Sequence, residues 1–383
     1  MTRVLVAMSG GVDSSVAAAL VKQGGDEAVG VWMRLSAAAD FGSEFARSCC
    51  SLEAAEDARR VASQLDIPFY ILNLEHEFEE AVLGPFLASY LAGRTPSPCV
   101  ECNTVVKFGA LMGRARLLYG CDAVATGHYA RVARPEEASG AAAETAGSDG
   151  HDRWRLLRGL DPAKDQSYFL YGLGQEQLAH TRFPLGEMTK PHVRELARAL
   201  GLATAGKRDS QEICFVPGGD YRDVLRERAA WESAPGPVLD MDGRQIGEHA
   251  GAAGFTVGQR QGLGVAVGEP RFVWRIDPAA NAIVVGRRED LRTRRFEIEA
   301  LQFVAGAPPV AAGRSFEATS NGPGFVAEVQ IRHRGHPEPA IVRPLKDGRW
   351  IVETDEPVWA AAPGQAAVFY RGDEVLGGGR IAG

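Results

Sequence analysis

The sequence predicts an α/β protein: a doubly wound parallel sheet, then a small central module and a C-terminal β-barrel. Three observations carry this. Strand and helix patterns alternate through the first half, which implies parallel strands joined by right-handed crossovers. The first strand runs straight into a glycine-rich turn that opens a helix. From Phe296 onward, short alternating strands are separated by Pro, Gly and Asp turns, the pattern of a small barrel.

Taken in order, a strand is expected over Arg3 to Met8, a helix from about Ser14 to Lys22, a strand over Ala28 to Met33 and a helix around Leu52 to Leu65. A strand at Phe69 to Leu74 follows, then a helix from about Val105 to Tyr119, a strand at Ala123 to Thr126 and a helix near Lys190 to Leu200. Residues 135 to 152 lack large apolar side chains and cannot offset the entropy of ordering. They read as an overlong hairpin loop between Tyr129 to Val132 and Trp154 to Leu157. After about Cys214 the helical signal fades into a Gly-rich region of short strands running to Gly286. Ala327 to Arg332 and Arg349 to Thr354 are examples of the barrel strands. In the first, alternation sends Val329 and Ile331 to one face and Gln330, Arg332 and Arg334 to the other. The expected boundaries are 1–216 for the α/β domain, 217–288 for the central module and 289–383 for the barrel. No internal repeat is present.

The chain has 383 residues, 45% hydrophobic and 24% charged, an ordinary globular balance. No run approaches the roughly 20 apolar residues of a membrane helix. The apolar run Val4 to Met8 is too short for a secretory signal, so a cytoplasmic location is expected. The net charge of −7 argues against indiscriminate nucleic-acid binding, which needs a basic surface. Residues 287–383, however, balance 13 Lys and Arg against 13 Asp and Glu, so the acidic excess lies upstream. Six cysteines in so long a chain are too sparse for a disulfide scaffold, and clustered ones are candidates for redox, metal or nucleophilic chemistry.

Ser9-Gly10-Gly11-Val12-Asp13-Ser14-Ser15 follows a strand and opens a helix, where backbone N–H groups and the helix dipole make an anion site. The glycines admit phosphate to the backbone, and Ser9, Ser14 and Ser15 have hydroxyls to donate. No Lys follows as in a Walker loop. The motif resembles the PP-loop, SGGxDS, of the ATP pyrophosphatase superfamily. That resemblance implies cleavage of ATP between the α and β phosphates, with Asp13 helping to place Mg²⁺ or pyrophosphate.

Cys99 and Cys102 lie in Pro96-Ser97-Pro98-Cys99-Val100-Glu101-Cys102, just ahead of the helix expected from Thr104 or Val105. A helix N-terminus favours thiolate, which makes Cys102 a candidate nucleophile. Cys214 follows Lys207 and Arg208, two cations that favour an anionic sulfur. A CxxC with one distant Cys admits a catalytic pair that carries and resolves a transferable sulfur, or three ligands to a four-iron cluster. A structural zinc site would need Cys121 or His128 as fourth ligand. Cys49, Cys50 and Cys121 read as plain helix or strand residues.

Beyond the loop, six segments occur in order: ATGHYARV (Ala125 to Val132), KDQSYFLY (Lys164 to Tyr171), FPLGEMTKPHVRELA (Phe183 to Ala197), KRDSQEICFVP (Lys207 to Pro217), FTVGQRQGLGV (Phe255 to Val265) and PGQAAVFY (Pro363 to Tyr370). Together they resemble the MnmA family of tRNA-specific 2-thiouridylases nearly end to end. The resemblance implies ATP-dependent thiolation of C2 of the wobble uridine of tRNA, with Mg²⁺, through an O-adenylated base. It implies a nucleotide site at Ala7, Met8, Ser9, Gly10, Gly11, Val12, Asp13, Ser14, Met33 and Gly127, with Cys102 as nucleophile and Cys214 receiving the persulfide. Ser97, Pro98 and Cys99 would meet the target base, and His128, Lys164, Asp165, Gln166, Arg332, His333 and Gln365 the tRNA. A sulfur relay protein or cysteine desulfurase would donate the persulfide. Many members have Asp at the position of Cys99, so a thiol there favours a second scheme. In that scheme Cys99, Cys102 and Cys214 hold a [4Fe-4S] cluster that carries sulfide. Two further alternatives are another PP-loop ligase or amidotransferase, for which no ammonia-generating segment is seen, and a non-enzymatic nucleotide- or RNA-binding protein that keeps the loop.

Overall fold

Apolar β-branched runs in the first third of the chain form strands buried on both faces, as a parallel sheet covered by helices requires. The computed structural model describes residues 1–36, 51–134, 153–208, 213–216, 220–265, 267–309 and 324–383. In chain order the strands are β1 (Arg3–Ala7), β2 (Glu27–Arg34), β3 (Phe69–Asn73), β4 (Ala123–Ala125), the hairpin strands β5 (Ala130–Ala133) and β6 (Arg155–Arg158), and β7 (Thr181–Arg182). The sheet runs β3-β2-β1-β4-β7, all parallel. After β1 the chain moves outward through β2 and β3, then returns to the other side of β1 as β4. The reversal makes β1 and β4 the switch point of the sheet, where a crevice opens beyond the strand C-termini.

Helix α1 (Val12–Gln23) buries Val16, Ala17 and Ala18, and α2 (Leu52–Gln64) is capped by Ser51, whose Oγ accepts from the Ala54 N–H at 3.1 Å. A helical run from Glu75 to Leu91, not foreseen from sequence, packs Phe78, Phe86 and Tyr90 beneath the crevice. Two of its members, Phe78 and Phe86, meet Phe215 edge-on, at 5.4 and 5.0 Å between ring centroids. The overlong loop expected at 135–152, Cys49 and Cys50 lie outside the described residues.

The central module is a four-stranded sheet of β8 (Gly236–Leu239), β9 (Gln245–His249), β10 (Phe272–Asp277) and β11 (Ala282–Gly286), in the order β10-β11-β8-β9. One expectation fails just before it: a helix spans Tyr221–Ala229, capped by Asp220, although no helix is expected beyond Cys214. Only Val224 and Leu225 of this helix are buried, so its apolar stripe is too narrow to stand out among its charges.

The barrel comprises β12 (Arg292–Phe303), β13 (Phe325–Gln330), β14 (Glu338–Pro344), β15 (Trp350–Trp359), β16 (Ala366–Arg371) and β17 (Glu374–Ile381). These follow the order β12-β15-β14-β13-β16-β17, and pairing of β12 with β17 closes the ring. The β5–β6 hairpin, although it belongs to the first half of the chain, extends this sheet: Leu156 and Leu157 pair with Val375 and Glu374 of β17. One apolar cluster accordingly runs from Leu5 and Val31 through Leu156 and Tyr168 to Val368 and Tyr370. Among the described residues no helix is long and apolar enough to cross a membrane.

Candidate active site

Gly11 caps α1 without any side-chain hydrogen bond, so the first N–H groups of the helix point into the crevice, the arrangement that attracts phosphate. The loop is held from behind. Gly10 adopts φ +71°, and a Cβ there would fall 2.2 Å from the Ala54 carbonyl oxygen, so only glycine fits. Ser14 Oγ accepts from the Ser9 N–H at 3.1 Å and donates to the Gly11 carbonyl at 3.1 Å. Ser15 departs from expectation: its hydroxyl is fully buried and donates to the Gly11 carbonyl at 2.8 Å, a structural bond rather than a phosphate contact.

A cavity of about 380 Å³ opens against this loop, lined by residues 7–14, by Met33 and by Gly127. Gly127 follows β4 and presses on the start of α1, where a Cβ would lie 2.8 Å from the Ser14 nitrogen. Cys99, Cys102 and Cys214 line the same cavity, although Cys214 stands 201 positions from Asp13 in the chain (214 − 13). Thus the structure brings together the glycine loop and the three sulfurs singled out in the sequence.

Asp13 is engaged differently from expectation. Lys190, itself buried, donates its ammonium to both Asp13 carboxylate oxygens, at 2.7 and 2.8 Å, and the Tyr129 hydroxyl donates to Oδ1 at 2.8 Å. Mg²⁺ on a nucleotide is usually held by one or two carboxylates together with phosphates. The one carboxylate of the loop is here neutralised by a lysine. Among the described residues, no three Cys, His, Asp or Glu side chains are grouped to hold a metal ion.

The cysteine helix begins earlier than expected. It starts at Pro98, with α-helical turns over Pro98–Glu101, π-helical winding over Cys102–Ala110 and α-helix again over Leu111–Tyr119. Cys99 therefore occupies the first turn, while Cys102 lies one turn in, beyond the reach of the helix-end dipole. In a π-helix each N–H bonds five residues back, and this wider winding turns Lys107 as well as Cys102 into the cavity. Lys107 donates to Asn103 Oδ1 at 2.9 Å. It was not foreseen, because ordinary helical spacing pairs residues three or four apart.

His128 lines this inner cavity rather than an outer surface. Its Nδ1 lies 2.7 Å from the Thr126 hydroxyl, and Phe108 and Phe183 flank the ring. Burial, with the Lys107 charge alongside, holds the imidazole well below its ordinary value of 6.5, so it is neutral at physiological pH. Lys207, also on the wall, pairs with Asp57 at 2.7 Å.

The cavity continues into a groove of about 830 Å³ where the α/β domain, central module and barrel meet. Pro98, Cys99, Lys164, Gln166 and Ile213 line both spaces and form the passage between them. Ser97, Arg332, His333 and Gln365 line the groove alone. Thr256 to Gln259 of the central module, within the segment FTVGQRQGLGV, add a wall that carried no predicted role. Asp165 is not on either wall. Its carboxylate turns inward, accepting from the N–H groups of Gly159 and Ser167, the Ser167 hydroxyl and the Arg158 guanidinium. The expected polar strand face at 330–334 is also replaced: β13 ends at Gln330, whose buried amide donates to the carbonyls of Arg332 and His333 at 2.9 and 2.8 Å and so shapes the following turn. Arg332 lies over the Trp359 ring at 4.8 Å. A more open hollow of about 930 Å³ near Thr2, Asp26 and Asp122 holds none of the predicted residues.

Comparison with known proteins agrees with this geometry. Three family models match in sequence: a tRNA methyl transferase HUP domain over residues 2–218, a tRNA methyl transferase PRC-barrel domain over 222–287 and an aminomethyltransferase beta-barrel domain over 294–381. A tRNA-specific 2-thiouridylase MnmA from Chloroflexus aggregans is 49% identical, covering 100% of this chain and 99% of its own. The chain belongs to the MnmA family of tRNA-specific 2-thiouridylases. The MnmA protein of Roseiflexus castenholzii is 47% identical over the full length of both chains, and that of Moorella thermoacetica 47% over 98% of each. The domain models carry methyl-transfer names, whereas these full-length MnmA relatives are named for 2-thiolation. The MnmA family thus accounts for the whole chain, including the central module and the barrel.

Proposed function

We propose that the protein is a tRNA-uridine 2-sulfurtransferase that thiolates C2 of the wobble uridine using ATP, in the cytoplasm, where both substrates are. The observation that carries this is the single cavity bordered by the glycine loop, Cys102 and Cys214, with a passage at Cys99, Lys164 and Gln166 into a groove shared by three domains. The groove receives the anticodon arm and the passage admits an everted pyrimidine.

The chemistry follows from the weakness of a urea-like oxygen as leaving group. Uridine O2 attacks the α-phosphorus of ATP, and pyrophosphate departs toward the N-terminus of α1, whose N–H groups face it. Mg²⁺ neutralises charge on the phosphates when bound, and Asp13 is the loop carboxylate available to it if Lys190 yields. The terminal sulfur of a Cys214 persulfide then bonds to C2 and AMP leaves with the C–O electron pair. The Cys102 thiolate attacks Sγ of Cys214, the persulfide S–S bond breaks with its electrons on the sulfur now attached to C2, and 2-thiouridine is released. The resulting Cys102–Cys214 disulfide is reopened by a thiol reductant, and a sulfur relay protein or cysteine desulfurase reloads Cys214.

The test is an assay with ATP, unmodified tRNA and a persulfide donor. One AMP and one pyrophosphate are expected per 2-thiouridine. Pyrophosphate release without thionucleoside under saturating donor would overturn the assignment.

A further inference from the structure

We propose that Phe169 and His333 form a stacking platform at the mouth of the site that receives the base next to the everted uridine. This inference rests on the tRNA-thiolation reading and extends it to a second nucleotide. Both side chains line the outer groove beside the passage. Their ring centroids are 4.4 Å apart at 43°, and Tyr168 backs Phe169 edge-on at 5.3 Å.

The pair is fixed in place before any ligand arrives. His333 Nε2 lies 2.8 Å from the Asp165 carbonyl oxygen, which can only accept, so the proton sits on Nε2 and the ring orientation is set. The His333 carbonyl is held by Gln330, and the Phe169 carbonyl accepts from Asn103, the residue after Cys102, at 3.1 Å. Arg332 and Lys164 supply positive charge on the same wall. Pulling a base out of a stack costs a few kcal/mol and leaves its neighbour with an uncovered face. An aromatic surface beside the passage covers that face, whichever base it belongs to, and needs no rearrangement to do so.

The experiment uses the full-length protein and an anticodon stem-loop RNA carrying 2-aminopurine on the 5′ or the 3′ side of the target uridine. Wild-type protein is expected to quench one of the two probes on binding. Phe169→Leu, which keeps apolar volume but has no π face, is expected to lose the quench and to bind roughly 5- to 150-fold more weakly, the equivalent of one stacked base. Phe169→Trp should retain both. Binding of a fluorescent ATP analogue reports that each variant is folded, and His333→Gln provides an independent variant if Phe169→Leu is not. Unchanged quench and affinity within twofold in these variants would overturn the platform and leave the thiolation reading standing. Failure of wild-type protein to bind the stem-loop would overturn both.

Discussion

The ammonium of Lys190 sits between the two carboxylate oxygens of Asp13, at 2.7 and 2.8 Å, and ties the first turn of α1 to the helix over Lys190–Ala199, 177 positions later. Lys190 has only 9% of its side chain exposed, whereas Asp13 retains 32%. Removing the lysine leaves a half-sheltered carboxylate that still accepts from the Tyr129 hydroxyl. We expect Lys190→Met to destabilise the fold by about 2 kcal/mol, below the range for a fully buried pair because water reaches Asp13. Pyrophosphate release should fall with it. A melting curve and turnover matching wild type would show that the pair does not hold the loop.

Cys102→Ser and Cys214→Ser are expected to release pyrophosphate from ATP in the presence of tRNA yet to form thionucleoside only at background. Nucleoside mass spectrometry reads the second quantity and a coupled phosphate assay the first. Iron and labile-sulfide analysis of anaerobically purified protein adds a direct comparison: full activity in metal-free protein excludes a cluster-borne sulfide, and activity that scales with iron content would instead exclude the persulfide scheme.

His128 gives stability a defined pH dependence. Its imidazole titrates well below 6.5 in the folded protein, so below that pH the unfolded chain binds a proton that the native state refuses. Stability therefore rises with pH through the window under 6.5 and is lost as pH falls through it, with a limiting slope of about 1.4 kcal/mol per pH unit. His128→Gln should flatten this part of the curve, as chemical denaturation at pH 5 to 7 can measure. An unaltered slope would mean that the ring is accessible to protons in the native state.

Arg158 joins three elements. Its guanidinium lies 3.5 Å over the Tyr370 ring, pairs with Asp165 at 3.1 Å and donates to Gln330 Oε1 at 3.1 Å. Through Asp165 and Gln330 it orders the Lys164 to Gln166 turn and the 332–334 turn together. Arg158→Ala should cost about 2 to 3 kcal/mol of stability. In the assay it should raise KM for tRNA more than it lowers kcat. An equal fall in kcat alone would place its influence at the chemical step instead.

Much of this arrangement was legible in the sequence because the signals were local. The glycines and serines from Ser9 to Ser15 between a strand and a helix specify the phosphate cradle, and the alternation after Phe296 specifies barrel strands. The hairpin around 130 and 157 was likewise readable, but its pairing with β17 was not, since no local pattern names a partner more than 200 residues away. Asp165, Gln330 and Ser15 read as polar and therefore exposed, yet each is turned inward to satisfy backbone groups. The start of the cysteine helix did leave a mark: Ser97-Pro98 is a common N-cap and first-turn pair. The π-helical winding that turns Lys107 inward left none.

The sharing of one sheet by the β5–β6 hairpin and β17 bears on how the molecule is made. A ribosome delivers Leu156 and Leu157 long before Glu374 and Val375, so the hairpin waits without its neighbour through the synthesis of more than half the polypeptide. The turn after it, which carries Lys164 and Gln166, is braced through Arg158 against Gln330 and Tyr370, so it too waits for barrel strands made much later. Nascent chains that stop short would hold a nucleotide cradle with an unfinished entrance, so competence to accept an RNA arrives last and all at once.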